Sequence, residues 1–241
     1  RSERSRQILT ELIPNLLDSF SNSLYPDLTL IRFDHFLSKI PTGVQFFSLI
    51  FANSGLLRWL TLIIGNAPLL ANRLTHNPHL LDGILSTEVY EPMGSIAELE
   101  LELTTSLKQA DNFEQALDIT QRWTNDQKFR VGIKVLGGLI SHQIACSALS
   151  SVAEIVVRSM WALVEKEFQS QYGIVPRGEV CIIAYGKLGG QELTPGSDLD
   201  LVIIYDCPTN VERSNGEKSL VVSAYYMRLA QRFISAISAP T

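Results

Sequence analysis

The chain has 241 residues, of which 46% are hydrophobic and 19% are charged, and its formal net charge is −5. A chain of this length can form one large domain or two small ones, and the hydrophobic content is that of an ordinary protein with a sizeable core. The acidic balance argues against broad electrostatic binding to nucleic acid or to an anionic membrane, but it leaves room for an anionic substrate carried by metal ions.

Neither the start of the chain nor its cysteines indicate secretion. The sequence begins at Arg1 without an initiator methionine or a signal-like segment, so we expect a piece of a longer, cytoplasmic protein. Three widely separated cysteines, Cys146, Cys181 and Cys207, show no metal-ligand spacing and predict free thiols.

Residues 1–172 carry one helical pattern after another. Residues 98–107, 113–123 and 147–172 predict helices, whereas residues 131–140 contain three glycines and give a weaker helical pattern. Two earlier runs repeat apolar residues at helical spacing: Ile8, Leu9, Leu12, Ile13, Leu16 and Leu17, and then Phe33, Phe36, Leu37 and Ile40. We therefore predict a helical bundle region over residues 1–172.

Residues 44–64 are apolar enough to raise the question of a membrane span. Gln45, Asn53, Ser54 and Arg58 interrupt the run, and polar groups at the centre of a span are costly in lipid. We predict two buried helices broken near Asn53 and no membrane association.

Two asparagine and proline combinations mark helix starts. Asn66 precedes Pro68, and Asn77 precedes Pro78. Asparagine can accept hydrogen bonds from the first amides of a helix, and proline fits the first turn because no donor is needed there. We therefore expect helices capped by Asn66 and Asn77.

The pattern changes at Gly173. Residues 173–179, GIVPRGE, predict a turn, and VCIIAY (180–185) and LDLVIIY (199–205) predict buried strands. CPTNVERSNGEK (207–218) is a polar loop, and residues 220–237 predict a terminal helix. The fold class predicted is α+β, with the helical region at 1–172 followed by a second domain at 173–241.

A glycine-rich loop separates the predicted strands, and two aspartates lie at the head of the second apolar run. Residues two apart on a strand share a face, so Asp198 and Asp200 should project together, opposite Leu199 and Leu201. Neighbouring carboxylates repel unless a cation lies between them, and hard oxygen ligands favour Mg²⁺ or Mn²⁺. Glycines also let backbone amides approach phosphate oxygens. The pattern favours a site for a nucleoside triphosphate with metal; the alternative is a solvated strand start.

The segment YGKLGGQELTPGSDLDLVIIYDCP resembles the signature of the glutamate-ammonia-ligase adenylyltransferases, which belong to the DNA polymerase beta-like nucleotidyltransferase superfamily. The upstream segment GVQFFSLIFANSGLLRWLTLIIGNAPLLANRLTHNPHLLD and the downstream segment YYMRLAQRFI resemble the same family. The resemblance implies that residues 173–241 form a partial polymerase beta-like sheet that lacks a later strand.

Members of that family carry two nucleotidyltransferase domains. The N-terminal domain removes AMP from glutamine synthetase by phosphorolysis, and the C-terminal domain adds AMP to a tyrosine of glutamine synthetase. AYGKLGG and YDCP are more similar to the adenylylating half, although Thr194-Pro195 stands where that half more often has Gly-Tyr. The resemblance thus implies adenylylation with ATP and Mg²⁺. The alternatives are the deadenylylating half and a non-catalytic helical regulatory or interaction module.

The resemblance also implies roles for single residues. Asp198 and Asp200 match the two metal-binding aspartates, and a third carboxylate is expected on a strand beyond residue 241. The matches to the phosphate-binding loop are Gly186, Lys187, Gly189, Gly190 and Ser197.

Two arginines near the end of the chain are further candidates. Arg228 and Arg232 lie four apart on one helix face and can contact triphosphate, or can be solvated or paired with carboxylates. By resemblance the partners are glutamine synthetase as protein substrate, with the PII signal protein and glutamine as regulators. The sequence has no basic aromatic stripe, so we expect no nucleic-acid partner.

Overall fold

The computed structural model describes residues 3–39, 44–85 and 89–238, which are mostly helical and include one small sheet. The α+β prediction is confirmed. The chain divides into two compact units, residues 1–92 with 129–141 and residues 93–128 with 142–241. The boundary predicted at residue 173 therefore falls inside the second unit.

The elements follow in chain order. The helices of the first 92 residues are α1 Glu3–Ser21, α2 Pro26–Lys39, α3 Val44–Ala52, α4 Ser54–Asn66, α5 Pro68–His76 and α6 Leu80–Leu85. The later elements are α7 Ile96–Leu107, α8 Phe113–Leu136, α9 His142–Tyr172, β1 Glu179–Ala184, α10 Gly186–Gly189, β2 Leu201–Asp206 and α11 Val222–Ile237.

A row of aromatic rings runs through the core of the first unit. Ring centroids lie 5.2 Å apart between Phe20 and Phe33, 6.2 Å between Phe33 and Phe36, and 6.1 Å between Phe36 and Phe46. Each fully buried side chain of this size stabilises the fold by about 1.5–3 kcal/mol. Buried aliphatic residues surround the rings: Leu12, Leu16, Leu56, Leu60, Ile63 and Ile64. The helical periodicity predicted for α1 and α2 is confirmed; Ile40, part of the same pattern, lies outside the described residues.

The apolar run at residues 44–64 forms two helices, as predicted. The chain bends by 106° between residues 45–52 of α3 and the start of α4, and the break falls at Asn53. The Asn53 side chain donates to Leu49 O at 2.9 Å, while its backbone carbonyl accepts from Leu56 and Leu57. In the described part of the chain, α9 is long and apolar enough to cross a membrane, and so is the bent pair if the two helices are counted as one span.

The predicted asparagine caps are wrong. Ala67 precedes α5 and makes no side-chain cap, while the Asn66 amide donates backwards to Leu62 O within α4. Asn77 likewise donates to Arg73 O at the end of α5. Both asparagines thus donate to a carbonyl near the end of the preceding helix and do not cap the following one. Pro68 does occupy the first turn of α5.

The helix α8 is longer than the predicted 113–123. It continues to Leu136, and Gly132 within it lies against another helix: a Cβ there would come within 2.6 Å of Leu70 Cδ2. Tertiary packing therefore compensates for the low helix propensity of this glycine. The helix ends before Gly137 and Gly138, and the latter has a φ of +68°.

In the second unit, a two-stranded antiparallel sheet lies beside α9 and α11. Its register runs from Glu179 opposite Asp206 to Ala184 opposite Leu201. One face, here called the inner face, packs into a core with buried side chains of α9 and α11. The inner-face residues are Val180, Ile182, Leu199, Leu201 and Ile203. On the other, outer face, Val202 and Ile204 are 45% and 49% exposed.

A tight backbone contact joins the end of α9 to the polar loop after β2. Gly173 has a φ of +71°, the conformation that commonly ends a helix at glycine. Gly216 N donates to Tyr172 O at 3.2 Å, and Asn215 N donates to Ile174 O at 3.0 Å. The Tyr225 hydroxyl of α11 donates to Gly173 O at 3.0 Å and so joins this contact from the core side.

Tyr225 makes the stability of the fold depend on pH in the alkaline range. Burial, with the nearby Glu165 and Tyr226, raises the pKa of Tyr225 to about 12. Because the unfolded chain loses this proton near the ordinary value of about 10, the stabilisation is complete below pH 10 and is lost as the pH rises through about 12.

We expect Tyr225→Phe to weaken the fold by about 1 kcal/mol at neutral pH, through the lost hydrogen bond, and to flatten the decline between pH 10 and 12. Urea unfolding across this pH range measures both effects. Tyr90→Phe, at a tyrosine that is 67% exposed, is the control. An equally steep decline in the Tyr225 variant would contradict the assignment.

Candidate functional site

The glycine-rich loop folds into one short helical turn after β1. Gly189 N donates to Tyr185 O at 3.1 Å, Gly190 N donates to Gly186 O at 3.0 Å, and Glu192 N donates to Lys187 O at 2.7 Å. The first amides of a helical turn have no partner within the helix and can face an anion. The buried side chain of Leu188 anchors the turn.

The glycines of this turn have different structural requirements. Gly186 has a φ of +55°, and a Cβ there would lie 2.5 Å from Asp200 Oδ2. A Cβ on Gly189 would lie 2.6 Å from Ala184 O, whereas one on Gly190 would meet nothing closer than 3.5 Å. Glycine is thus required by the backbone at Gly186 and by packing at Gly189. The other left-handed residue of the turn is Gln191, with a φ of +57°.

Asp198 and Asp200 precede β2 and do not lie within it, since the strand begins two residues later than predicted. The segment is nevertheless extended enough to alternate: both aspartates are exposed, while Leu199 and Leu201 are partly buried against the core. Tyr185 N donates to Asp200 O at 2.8 Å and continues the ladder by one bond. The two carboxylates therefore stand on the outer face, and that of Asp200 lies over Gly186.

The residues before Asp198 form a closed turn. Thr194 N donates to Ser197 Oγ at 3.0 Å, and the two hydroxyl oxygens lie 2.8 Å apart. Ser197 N donates in return to Thr194 O at 3.0 Å. The Ser197 hydroxyl is thus engaged within its own turn, and its predicted contact with phosphate stays a prediction.

Lys187 lies on α10, and its side chain is exposed. The two arginines are placed differently. They lie on α11, whose core residues pack against the inner face of the sheet, and Arg232 is ion-paired with Glu167 of α9. Arg228 is exposed. Among the described residues neither arginine forms an ion pair with Asp198 or Asp200, and contact of the arginines with triphosphate stays a prediction.

The donor set of the site suits a hard cation but is small. The two aspartates offer carboxylate oxygens, the ligands that Mg²⁺ and Mn²⁺ prefer. Within residues 3–39, 44–85 and 89–238 there is no group of three or more His, Cys, Asp or Glu side chains that could hold a metal ion. The described residues thus fit a metal that takes its remaining ligands from a triphosphate, water or further protein groups.

Three residues that support the loop are not identified in the sequence analysis. Leu188 and Leu193 are 7% and 4% exposed, and Ser150 of α9 accepts a hydrogen bond from Leu193 N. The two leucines are detectable as apolar residues five apart in an otherwise polar loop. Ser150 gives no such signal, because its contact with the loop depends on the tertiary fold.

Comparisons with known proteins identify the family of this chain. The family model described as glutamate-ammonia ligase adenylyltransferase matches residues 57–241. The chain is 42% identical to the bifunctional glutamine synthetase adenylyltransferase/adenylyl-removing enzyme of Brucella melitensis biotype 1, over 100% of this chain and 24% of that protein. The enzymes of the same name from Mesorhizobium japonicum and Bartonella henselae are 39% and 38% identical over the whole chain and 24% and 25% of their own lengths.

The matched relatives are named as enzymes that transfer and remove adenylyl groups. The chain belongs to the glutamate-ammonia ligase adenylyltransferase family. It spans about a quarter of the length of the curated relatives that it matches.

Proposed function

We propose that this chain contributes the carboxylate-bearing part of a polymerase beta-like nucleotidyltransferase site, which transfers AMP from ATP to a tyrosine of glutamine synthetase. The observation that carries the proposal is the placement of Asp198 and Asp200 on one exposed face, with the Asp200 carboxylate over Gly186 at the start of a glycine-rich turn. The names of the relatives support the same reaction class.

In this proposal Asp198 and Asp200 hold Mg²⁺ or Mn²⁺. When bound, the metal neutralises triphosphate charge and favours the ionised tyrosine hydroxyl. Gly186 leaves space above the turn for the Asp200 carboxylate, and the first amides of α10 can donate to phosphate oxygens. The Lys187 ammonium adds a positive charge beside them.

The reaction joins the tyrosine oxygen to the α-phosphorus of ATP. The bond between that phosphorus and the bridging oxygen breaks, the pyrophosphate leaves with the bond's electrons, and the tyrosine proton passes to a base or to solvent. If phosphate instead attacks the AMP attached to glutamine synthetase, the same site catalyses the deadenylylating reaction. Thr194-Pro195, which departs from the adenylylating pattern, is the observation that favours this second candidate.

The proposed setting follows from the family. Glutamine synthetase is the protein substrate, the PII signal protein and glutamine are regulators, and the protein acts in the cytoplasm without nucleic-acid or membrane partners. These statements rest on the family resemblance and on the names of the relatives.

The test measures both reactions with the full-length protein as the enzyme. Transfer of label from ATP to glutamine synthetase measures adenylylation, and release of label from adenylylated glutamine synthetase with phosphate measures the reverse function. Lys187→Met should lower only the reaction of this site, by about tenfold, because it removes one charged contact to phosphate. Lys218→Met, at another exposed lysine of the same unit, is the matched control.

Loss confined to adenylylation supports the proposal, and loss confined to deadenylylation supports the second candidate. Unchanged rates in both directions would favour the non-catalytic module.

A further inference from the structure

The loop that carries Asp198 is attached to helix α9 at one buried point. Leu193 N donates to Ser150 Oγ at 3.4 Å, and Ser150 Oγ donates to Cys146 O at 2.9 Å. A serine hydroxyl has one proton and two lone pairs, so it can make both bonds at once. Leu193 and Ser150 are 4% and 3% exposed, so water does not readily replace this bond.

From that attachment, one closed turn leads directly to the carboxylates. The mutual hydrogen bonds of Thr194 and Ser197 fix the four residues between Leu193 and Asp198. The backbone position of Asp198 is therefore set by a short, internally bonded turn whose first end is held by α9.

Close packing restrains the position of this turn less than the hydrogen bonds do. Leu193, Thr194, Ser197 and Leu199 line a cavity of about 210 Å³ that is otherwise bounded by α8, α9 and the end of α11. Atoms that face a cavity lack dispersion contacts on that side. The directional hydrogen bonds must therefore carry much of the positional restraint.

We infer that Ser150 and Thr194 are positioning residues for Asp198, and that α9 is the support on which this part of the site is built. The inference rests on the proposed function in so far as Asp198 binds metal. Both residues would act indirectly: Ser150 acts through Leu193, and Thr194 acts through Ser197.

The test compares neighbouring serines of α9 in the full-length protein. Ser150→Ala removes the acceptor for Leu193 N. Ser151→Ala removes the same kind of hydroxyl, which donates to Ser147 O at 3.1 Å and makes no hydrogen bond to the loop in the described part of the chain. Thr194→Val keeps the shape and the backbone bonds of the turn and removes one hydroxyl.

Amide hydrogen exchange reports the position of the turn independently of metal. We expect exchange over residues 193–198 to be about fivefold faster in Ser150→Ala and unchanged in Ser151→Ala, because the lost bond is worth about 1 kcal/mol. We also expect the dissociation constant for Mn²⁺ at the site abolished by Asp198→Asn to rise about three- to tenfold. The kcat should fall about tenfold, because small displacements of reacting groups are costly, with KM for glutamine synthetase unchanged.

Thr194→Val should show the same pattern to a smaller degree. Exchange rates and Mn²⁺ affinity equal to those of the unmodified protein in both variants would overturn the inference, and so would equal effects in Ser150→Ala and Ser151→Ala. If the unmodified protein shows no Mn²⁺ signal that Asp198→Asn removes, the proposed function is contradicted instead. The exchange measurement then decides the positioning roles by itself.

Discussion

Replacing Asp198 by Asn in the full-length protein is expected to lower AMP transfer at this site by at least about 100-fold. The substitution keeps the size of the side chain but removes the charge of the proposed metal ligand, and changes even to groups behind a metal ligand cost 10- to 100-fold. Stability should change by less than about 0.5 kcal/mol, because the side chain is exposed. The loss is thus expected in the chemistry and not in the fold.

The measurement is transfer of label from ATP to glutamine synthetase, with thermal unfolding recorded for the same samples. Asp206→Asn is the matched control, because Asp206 is an exposed residue of the same parity at the far end of β2. A well-folded Asp198→Asn protein with near-normal transfer would refute the metal assignment. A similar loss in the Asp206 variant would point to a general charge effect.

The largest effect on stability is expected for Gly216→Ala. A methyl group there would overlap the backbone nitrogen of Gly173 and the carbonyl carbon of Tyr172, and it would lie 2.5 Å from Tyr172 O. These are backbone atoms, so no side-chain rotation can relieve the overlap. Separating the two segments also breaks the hydrogen bonds between residues 215–216 and 172–174. We expect a loss of about 3 kcal/mol or more in the free energy of unfolding.

Denaturant unfolding measures this loss, and Gly196→Ala is the control. Gly196 belongs to the same unit, has no positive φ, and has open space where its Cβ would be. Its replacement should change stability by no more than about 0.5 kcal/mol. Equal stability of the two variants would show that the loop moves away from α9 at little cost.

Much of the fold follows from periodicity in the sequence. The repeats in α1, α2 and α9, and the β-branched runs of β1 and β2, predict elements that the structure contains within a few residues. Errors arise where a residue has two possible uses. Asn66 and Asn77 can cap a following helix or close a preceding one, and the structure shows the second use. Gly132 weakens a helix locally but fits against Leu70 in the fold.

The candidate site, like the fold, could be predicted from the sequence only in part. The spacing of Asp198 and Asp200 indicates a shared face, because side-chain direction in extended chain has a period of two. The roles of the glycines could not be separated from sequence, since composition does not show which one meets the Asp200 carboxylate. Ser150 could not be found at all, because it lies 43 residues before Leu193 in the chain. Local chemistry is therefore visible in the sequence, and its long-range support is not.

The alternation along residues 198–204 has a consequence for how this segment can vary. Leu199, Leu201 and Ile203 are held by the core, and this fixes the direction of the residues between them. Exchange of one aliphatic residue for another leaves both carboxylates where they are. Insertion or deletion of a single residue between Asp198 and Leu201 would instead turn a carboxylate towards the core and an aliphatic side chain towards the outer face. In this segment the protein can therefore tolerate changes of residue type far better than changes of length.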